Sequence, residues 1–180
     1  MPERNALKNV LQTERLTLRC LDAGDAPFML GLLNDPAWIR YIGDRGVRTV
    51  EAARAYLEER MISMYVKLGF GLWLVEERGG RLPLGICGLV KRDALPDVDI
   101  GFAFMPEFRG RGYAYESALA VREHATGALG LARLLAITAP ANADSIRLLE
   151  RLGFARERDM TWAGDEKDVV SVYAFGSGAP

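Results

Sequence analysis

The sequence predicts an α+β fold, a single mixed sheet with helices on its faces. Three observations carry this. Strand-like runs recur along the whole chain, and three of them follow one another without a helix between residues 70 and 105. Stretches with apolar residues at helical spacing separate the other strands. Two further strands close the chain after the last helix, so a simple alternation of strand and helix does not fit. The 180 residues, 49% hydrophobic and 26% charged, suit one domain with a sizeable core.

Leu16, Leu18 and Cys20 alternate with Thr17 and Arg19, which predicts a first strand. Residues 22–34 predict a short helix that ends at Asp35-Pro36. Thr49, with Glu51 after it, opens a long helix whose face is Ala53, Leu57, Met61, Met64 and Leu68. Residues 70–76 and 84–91 flank Arg78-Gly79-Gly80-Arg81 and read as a hairpin. In the next strand, residues 97–105, Val98, Ile100, Phe102 and Phe104 share one face. Asp97, Asp99, Gly101 and Ala103 share the other. A helix from about Gly112 carries Ala114, Ala118, Val121 and Ala125. A strand at 133–138 and a helix at 142–152 come next, the latter burying Ile146, Leu149 and Leu152. Residues 154–160 and 169–175 are the late strands. The expected domain spans 13–176, with 1–12 a loose leader and 177–180 a tail.

A net charge of −1 argues against a broad electrostatic grip on nucleic acid. The opening Met1-Pro2-Glu3-Arg4-Asn5 lacks the apolar core of a signal peptide. Apolar runs such as Leu84 to Val90 are too short to cross a bilayer. The expectation is a cytoplasmic protein without membrane association. Cys20 and Cys87 form no CxxC pair and read as reduced, buried thiols. His124 falls on the flank of a helix, and no cluster of metal ligands exists, so no metal is expected.

Residues 99–114 carry the chemistry. They run strand, turn, helix, with Pro106 marking the strand end. The turn Arg109-Gly110-Arg111-Gly112 feeds a helix N-terminus, where free N–H groups and the helix dipole favour an anion. The two glycines allow close approach of the backbone, and the two arginines add positive charge. A pyrophosphate fits. Tyr115 stands where a dinucleotide fingerprint needs its third glycine, and no P-loop string occurs.

Arg109-x-x-Gly112-x-Ala114 resembles the [QR]-x-x-G-x-[GA] motif of the GNAT acetyltransferase superfamily. Thr13-Glu14-Arg15-Leu16-Thr17-Leu18-Arg19 resembles the opening of its RimJ/RimL-like branch, whose better-known members acetylate N-termini of ribosomal proteins. Asp99-Ile100-Gly101-Phe102, Asn142-Ala143-Asp144-Ser145 and Leu152-Gly153-Phe154 resemble further motifs of that branch. The likeness covers about residues 13 to 175. It implies the GNAT fold: a central mixed, mostly antiparallel sheet with helices on both faces and a splayed strand pair at an acetyl-CoA site. It implies that Phe104 and Met105 hold the acetyl and pantetheine end, and that Arg109, Gly110, Arg111, Gly112, Tyr113 and Ala114 form the pyrophosphate turn. Asn142 and Ser145 would flank the pantetheine arm and sulfur; Asn142 also suits a helix cap. Trp38, Tyr41, Phe70 and Trp73 would line the acceptor side, though each also suits core packing.

The expected reaction is direct attack of a primary amine on acetyl-CoA, the amine belonging to a peptide N-terminus or a small molecule. Asp99 is the first candidate for a base and Asp97 the second. The branch usually carries glutamate in place of Asp99, so a water relay fits the shorter side chain. Glu116 reads as a partner of the helix dipole. Ser145 is a candidate proton donor to the leaving thiolate, or a group that orients CoA. A catalytically silent acyl-CoA sensor is the alternative from another class. A monomer or a homodimer is expected.

Overall fold

Strands β1 (Asn9–Gln12), β2 (Leu16–Arg19), β3 (Leu72–Glu77), β4 (Pro83–Val90), β5 (Asp99–Phe104), β6 (Arg133–Thr138), β7 (Ala155–Trp162) and β8 (Asp165–Gly176) build one sheet. The order is β1-β2-β3-β4-β5-β6-β8-β7. The computed structural model describes residues 9–162 and 165–178. Every neighbouring pair is antiparallel except β5 and β6, which run parallel and pair only at Asp99 and Leu135. The expected mixed, mostly antiparallel sheet with a splayed pair is the one that forms.

The sheet starts earlier than expected. Residues 9–12, read as part of a loose leader, form the edge strand β1 against β2, and Val10 and Leu11 pack on the core. Residues 1–8 of that leader lie outside the described residues, as do 179–180 of the tail. The short run of two apolar residues in β1 is too brief for periodicity to register.

Helices cover both faces. A 3-10 turn (Ala23–Asp25) leads into α1 (Ala26–Leu33). The Asp35-Pro36 pair does more than end a helix. The Asp35 carboxylate accepts the N–H groups of Ala37 and Trp38, and Pro36 opens a second short helix, α2 (Pro36–Tyr41). Aspartate at the cap and proline at the first position favour such a start. The long helix predicted from Thr49 is α3 (Val50–Leu57), a π turn (Glu58–Ile62) and α4 (Ser63–Leu68). The π turn adds a residue to the ladder and rotates the helical turns after it. Ala53, Leu57 and Met61 are therefore buried while Leu68 is 38% exposed. On the opposite face lie α5 (Tyr113–Thr126) and α6 (Ala143–Arg151).

Strand alternation sorts the core. Val98 just before β5 and Ile100, Phe102 and Phe104 within it, with Trp73 and Val75 of β3, pack in one cluster with Ala118, Val121 and Ala125 of α5 and Leu149 of α6. Leu74 and Ile86 face the other way, under Met29, Leu32, Leu33 and Ala53. That second layer stops short of β6 and β8. There a smaller cluster forms, Leu95, Leu135, Val172 and Ala174, with Met160 and Trp162 against it. The uncovered strip between these layers is where the cleft opens. On the face of the second layer, Arg19 is buried in a double pair, its Nε 2.9 Å from Glu76 and its Nη2 2.8 Å from Asp25. These partners hold the guanidinium charged against the cost of burial.

Candidate active cleft

The splay of β5 from β6 creates the site. Leu135 donates to Val98 O at 2.9 Å, and past that point the two strands separate. Met105 N–H donates to Leu84 O across β4, so even-numbered residues of β5 turn their backbone groups toward the gap. This departs from the expected role of Met105, while Phe104 keeps its N–H open to the gap. The Met105 N–H is in the ladder, and its carbonyl accepts from Phe108 N–H at 3.0 Å. The Phe104 carbonyl accepts from Arg109 Nε at 3.0 Å. The N–H of Phe104 and both backbone groups of Phe102 face the gap.

A cleft of about 710 Å³ runs through this gap to both faces of the sheet. Of the expected site residues, Trp38, Tyr41, Asp99, Phe104, Arg109, Gly110, Gly112, Tyr113, Ala114, Asn142 and Ser145 line it. Phe70, Trp73, Met105 and Arg111 do not. Trp73 is 2% exposed and meets His124 edge-on, with ring centroids 5.8 Å apart, in the α5-facing cluster. Phe70 packs against the same cluster. On β3 it is Leu72 that faces the cleft, and its neighbour Trp73 points through the sheet.

On one side of the gap stands the N-terminus of α5. Gly110 and Gly112 have φ of +72° and +81°, a region costly for residues with a Cβ. Gly112 sits at the cap with no side chain bonded to the first turn, and the helical ladder begins with Glu116 N–H donating back to its carbonyl. The preceding N–H groups of the turn therefore remain for an anion. Arg109 is less available than expected, because its Nη2 lies 2.5 Å from Asp35 Oδ2. That bond ties the end of β5 to the cap of α2. Arg111 lies over the Phe108 ring, and its carbonyl accepts from Arg15 Nη1 at 3.0 Å.

Glu116 explains the Thr13-x-Arg15 signature. Its carboxylate accepts from Thr13 Oγ1 (2.6 Å), Arg15 N (2.9 Å) and Arg15 Nε (2.6 Å). Burial works against the charge, but these bonds hold the carboxyl below its usual range. The first loop is thereby fastened to the first turn of α5. Arg15 also stacks on Tyr113, 4.7 Å from the ring centre. Across the gap, Asn142 caps α6 by accepting Ser145 N–H at 3.2 Å, and both line the cleft.

On the other face, Asp99 is 1% exposed. Burial pushes its carboxyl up to about 6, against the pull of Arg92, whose Nε lies 3.0 Å from Oδ1 and 3.2 Å from Oδ2. Asp97, the second candidate, lies 3.7 Å from Arg133 Nε and does not line the cleft. Arg92 is new to the site. Its guanidinium also lies over the Trp162 ring, 5.5 Å from the centre. Periodicity gives no sign of either residue, because Arg92 is in the loop after β4 and Trp162 ends β7. Cys87, buried under Ser117 with its thiol pushed up to about 12, is inert at neutral pH.

The chain matches the acetyltransferase (GNAT) domain family over residues 15–155. It is 30% identical over 151 residues to YkkB of Bacillus subtilis, an uncharacterised protein, covering 81% of this chain and 85% of that one. Among solved structures it resembles an acetyltransferase from Agrobacterium tumefaciens, with a TM-score of 0.76, 25% identity and 92% of each chain covered. It also shares its fold with RimL, a ribosomal L7/L12 α-N-protein acetyltransferase in complex with coenzyme A, at a TM-score of 0.79 and 20% identity over 94% of this chain and 98% of that one. The glycine turn at an open helix end, the splayed strands beside it and the match across most of its length agree: the chain belongs to the GNAT acetyltransferase family.

Proposed function

We propose that the protein moves an acetyl group from acetyl-CoA to a primary amine by direct attack within a ternary complex. The observation that carries this is the cleft itself, which joins an anion-binding helix end on one face of the sheet to a buried carboxylate on the other. The pyrophosphate lies on the N–H groups from Gly110 to Ala114. The open groups of Phe102 and the N–H of Phe104 take the amides of the pantetheine arm, which continues as an extra strand. The amine comes from the side of Trp38, Tyr41 and Asp99. Its nitrogen bonds to the thioester carbon, the proton it sheds passes to Asp99 through water, and the carbon–sulfur bond breaks to release the thiolate. Ser145 lies beside the sulfur path and orients it. Among the described residues lining the cleft there is no cysteine, which suits a single transfer with no acetyl-enzyme.

An α-amine is the favoured acceptor. With pKa ~8 about one molecule in ten is neutral at pH 7, against about one in 2,500 for a lysine at ~10.4. Deprotonation thus costs ~1.4 kcal/mol in the first case and ~4.6 kcal/mol in the second. A carboxylate acting through water is enough for the first. The test is thiol release from acetyl-CoA over a panel of amines, with peptides free at the N-terminus set against blocked peptides that carry lysine. Faster turnover of the blocked lysine peptides overturns the α-amine preference. Cofactor binding without turnover of any amine would leave a silent acyl-CoA sensor.

A further inference from the structure

Arg92 has a guanidinium fixed in place and only partly used. Its Nε is committed to Asp99. Its Cζ lies over the Trp162 ring. The loop that carries it is tied down by Lys91, whose Nζ donates to Leu95 O at 2.7 Å. Yet both Nη groups lack an acceptor among the described residues, and the side chain is 32% exposed at the wall of the cleft. An arginine whose Nε holds one carboxylate presents its outer edge to a second acceptor in the same plane.

We propose that Arg92 is a specificity-determining residue that binds a carboxylate of the acceptor, and that the acceptor class is the free α-amino acid with an apolar or aromatic side chain. This rests on the acetyl-transfer reading given above. The geometry argues for it in two steps. In an α-amino acid the amine and the carboxylate are separated by a single carbon, so a molecule gripped by the Nη edge has its amine beside Asp99. Charges then alternate, carboxylate, guanidinium, Asp99, amine, which keeps a desolvated site balanced. Trp38, Tyr41, Ile42, Ile137 and Val170 offer an apolar and aromatic surface for a side chain, with the charged Arg45 and Asp168 also in the lining. A polyamine carries no carboxylate, so it would leave the Nη edge of Arg92 unpaired and set an ammonium against it, whatever it gained from Asp168.

The experiment compares phenylalanine, phenylalaninamide and spermidine as acceptors, in the wild type and in Arg92→Gln. Loss of Arg92 also disturbs Asp99, but that disturbance falls on every acceptor alike, so the ratio of kcat/KM values is the readout. Per neutral amine, the wild type is expected to prefer phenylalanine over its less basic amide by about tenfold or more, the effect of a charge-assisted hydrogen-bonded pair. In Arg92→Gln that ratio falls to near one, and in Arg92→Lys it recovers in part. Equal use of acid and amide per neutral amine by the wild type, an unchanged ratio in Arg92→Gln, or a clear preference for spermidine would each overturn the proposal. Silence of all three acceptors with turnover of another amine of the wider panel would overturn this proposal alone; failure of acetyl transfer as a whole reads differently, as no thiol release with any amine of that panel.

Discussion

At the scale of single residues, Asp99 is the group whose environment says most. A carboxyl pushed up to about 6 is still ionised at pH 7 and is a better base than a free aspartate. Activity is therefore expected to fall on the acid side with a midpoint near pH ~6, and Asp99→Asn to lose about a hundredfold in kcat along with that limb. The same shift acts on stability with a definite sign. The folded pKa is above the unfolded one, so its contribution is greatest at low pH and is lost as pH rises from about 4 through about 6, by up to ~3 kcal/mol. Urea denaturation across that range should show this slope in the wild type and a flatter curve in Asp99→Asn. Ser145→Ala should cost tenfold or less in turnover, about the ~1 kcal/mol of one hydrogen bond, because a thiolate leaves well unaided. A loss above a thousandfold with CoA affinity intact would make Ser145 an essential acid. Asp99, Ser145 and Asn142 are legible in the sequence because a strand has period two and a motif surrounds each. Arg92 is not: a loop residue that finds its partner seven positions later leaves no periodic trace.

At the scale of elements, the anion turn is held from behind. The first loop reaches α5 through Glu116, which takes three hydrogen bonds from Thr13 and Arg15, and Arg15 in turn holds the Arg111 carbonyl. Reading Glu116 as a dipole partner puts it on the right turn but does not reach this fastening, since residues some hundred positions apart share no local pattern. Glu116→Gln keeps the shape and removes the charge that anchors Arg15. It is expected to raise KM for acetyl-CoA several-fold with kcat nearly unchanged, because the turn loses definition while the reacting groups stay in place. An equal fall in kcat would show that the turn is not what it supports. Gly112→Asp attacks the turn directly. It sets a β-carbon at φ +81°, 3.2 Å from Arg15 Nη2, and a negative charge where the phosphates belong. Isothermal titration should find cofactor binding lost in a protein that still folds; unchanged affinity would move the anion site elsewhere. The short helix α2 escapes a sequence reading because Asp-Pro is both a stop and a start, and only the cap bonds at Asp35 decide between them.

At the scale of the whole molecule, the succession of strands along the chain from β2 onward is legible from the sequence, and the two faces of the cleft are not. The helical stripe of α3 and the alternation in β5 each assign an inward side, but which layer lies over which strands depends on distant packing. Trp73 shows the cost: its size suggests a cleft wall, and one step along the strand sends it into the core. A ligand that bridges the two halves of the sheet should stabilise the whole fold. At 100 times its dissociation constant, acetyl-CoA is expected to add ~2.7 kcal/mol, visible as a rise in Tm by differential scanning calorimetry. No shift at millimolar acetyl-CoA would argue against the proposed cofactor. The single pairing of β5 with β6 has one more consequence. An internal strand is ordinarily the part of a sheet slowest to trade its amide hydrogens for deuterium. Here the amides of Phe102 and Phe104 face a gap rather than a neighbour, so they should exchange as fast as those of a surface loop, while Met105, bonded across β4, exchanges slowly. The middle of this sheet thus behaves toward solvent as a border, until something slender enough to lie along it closes the seam.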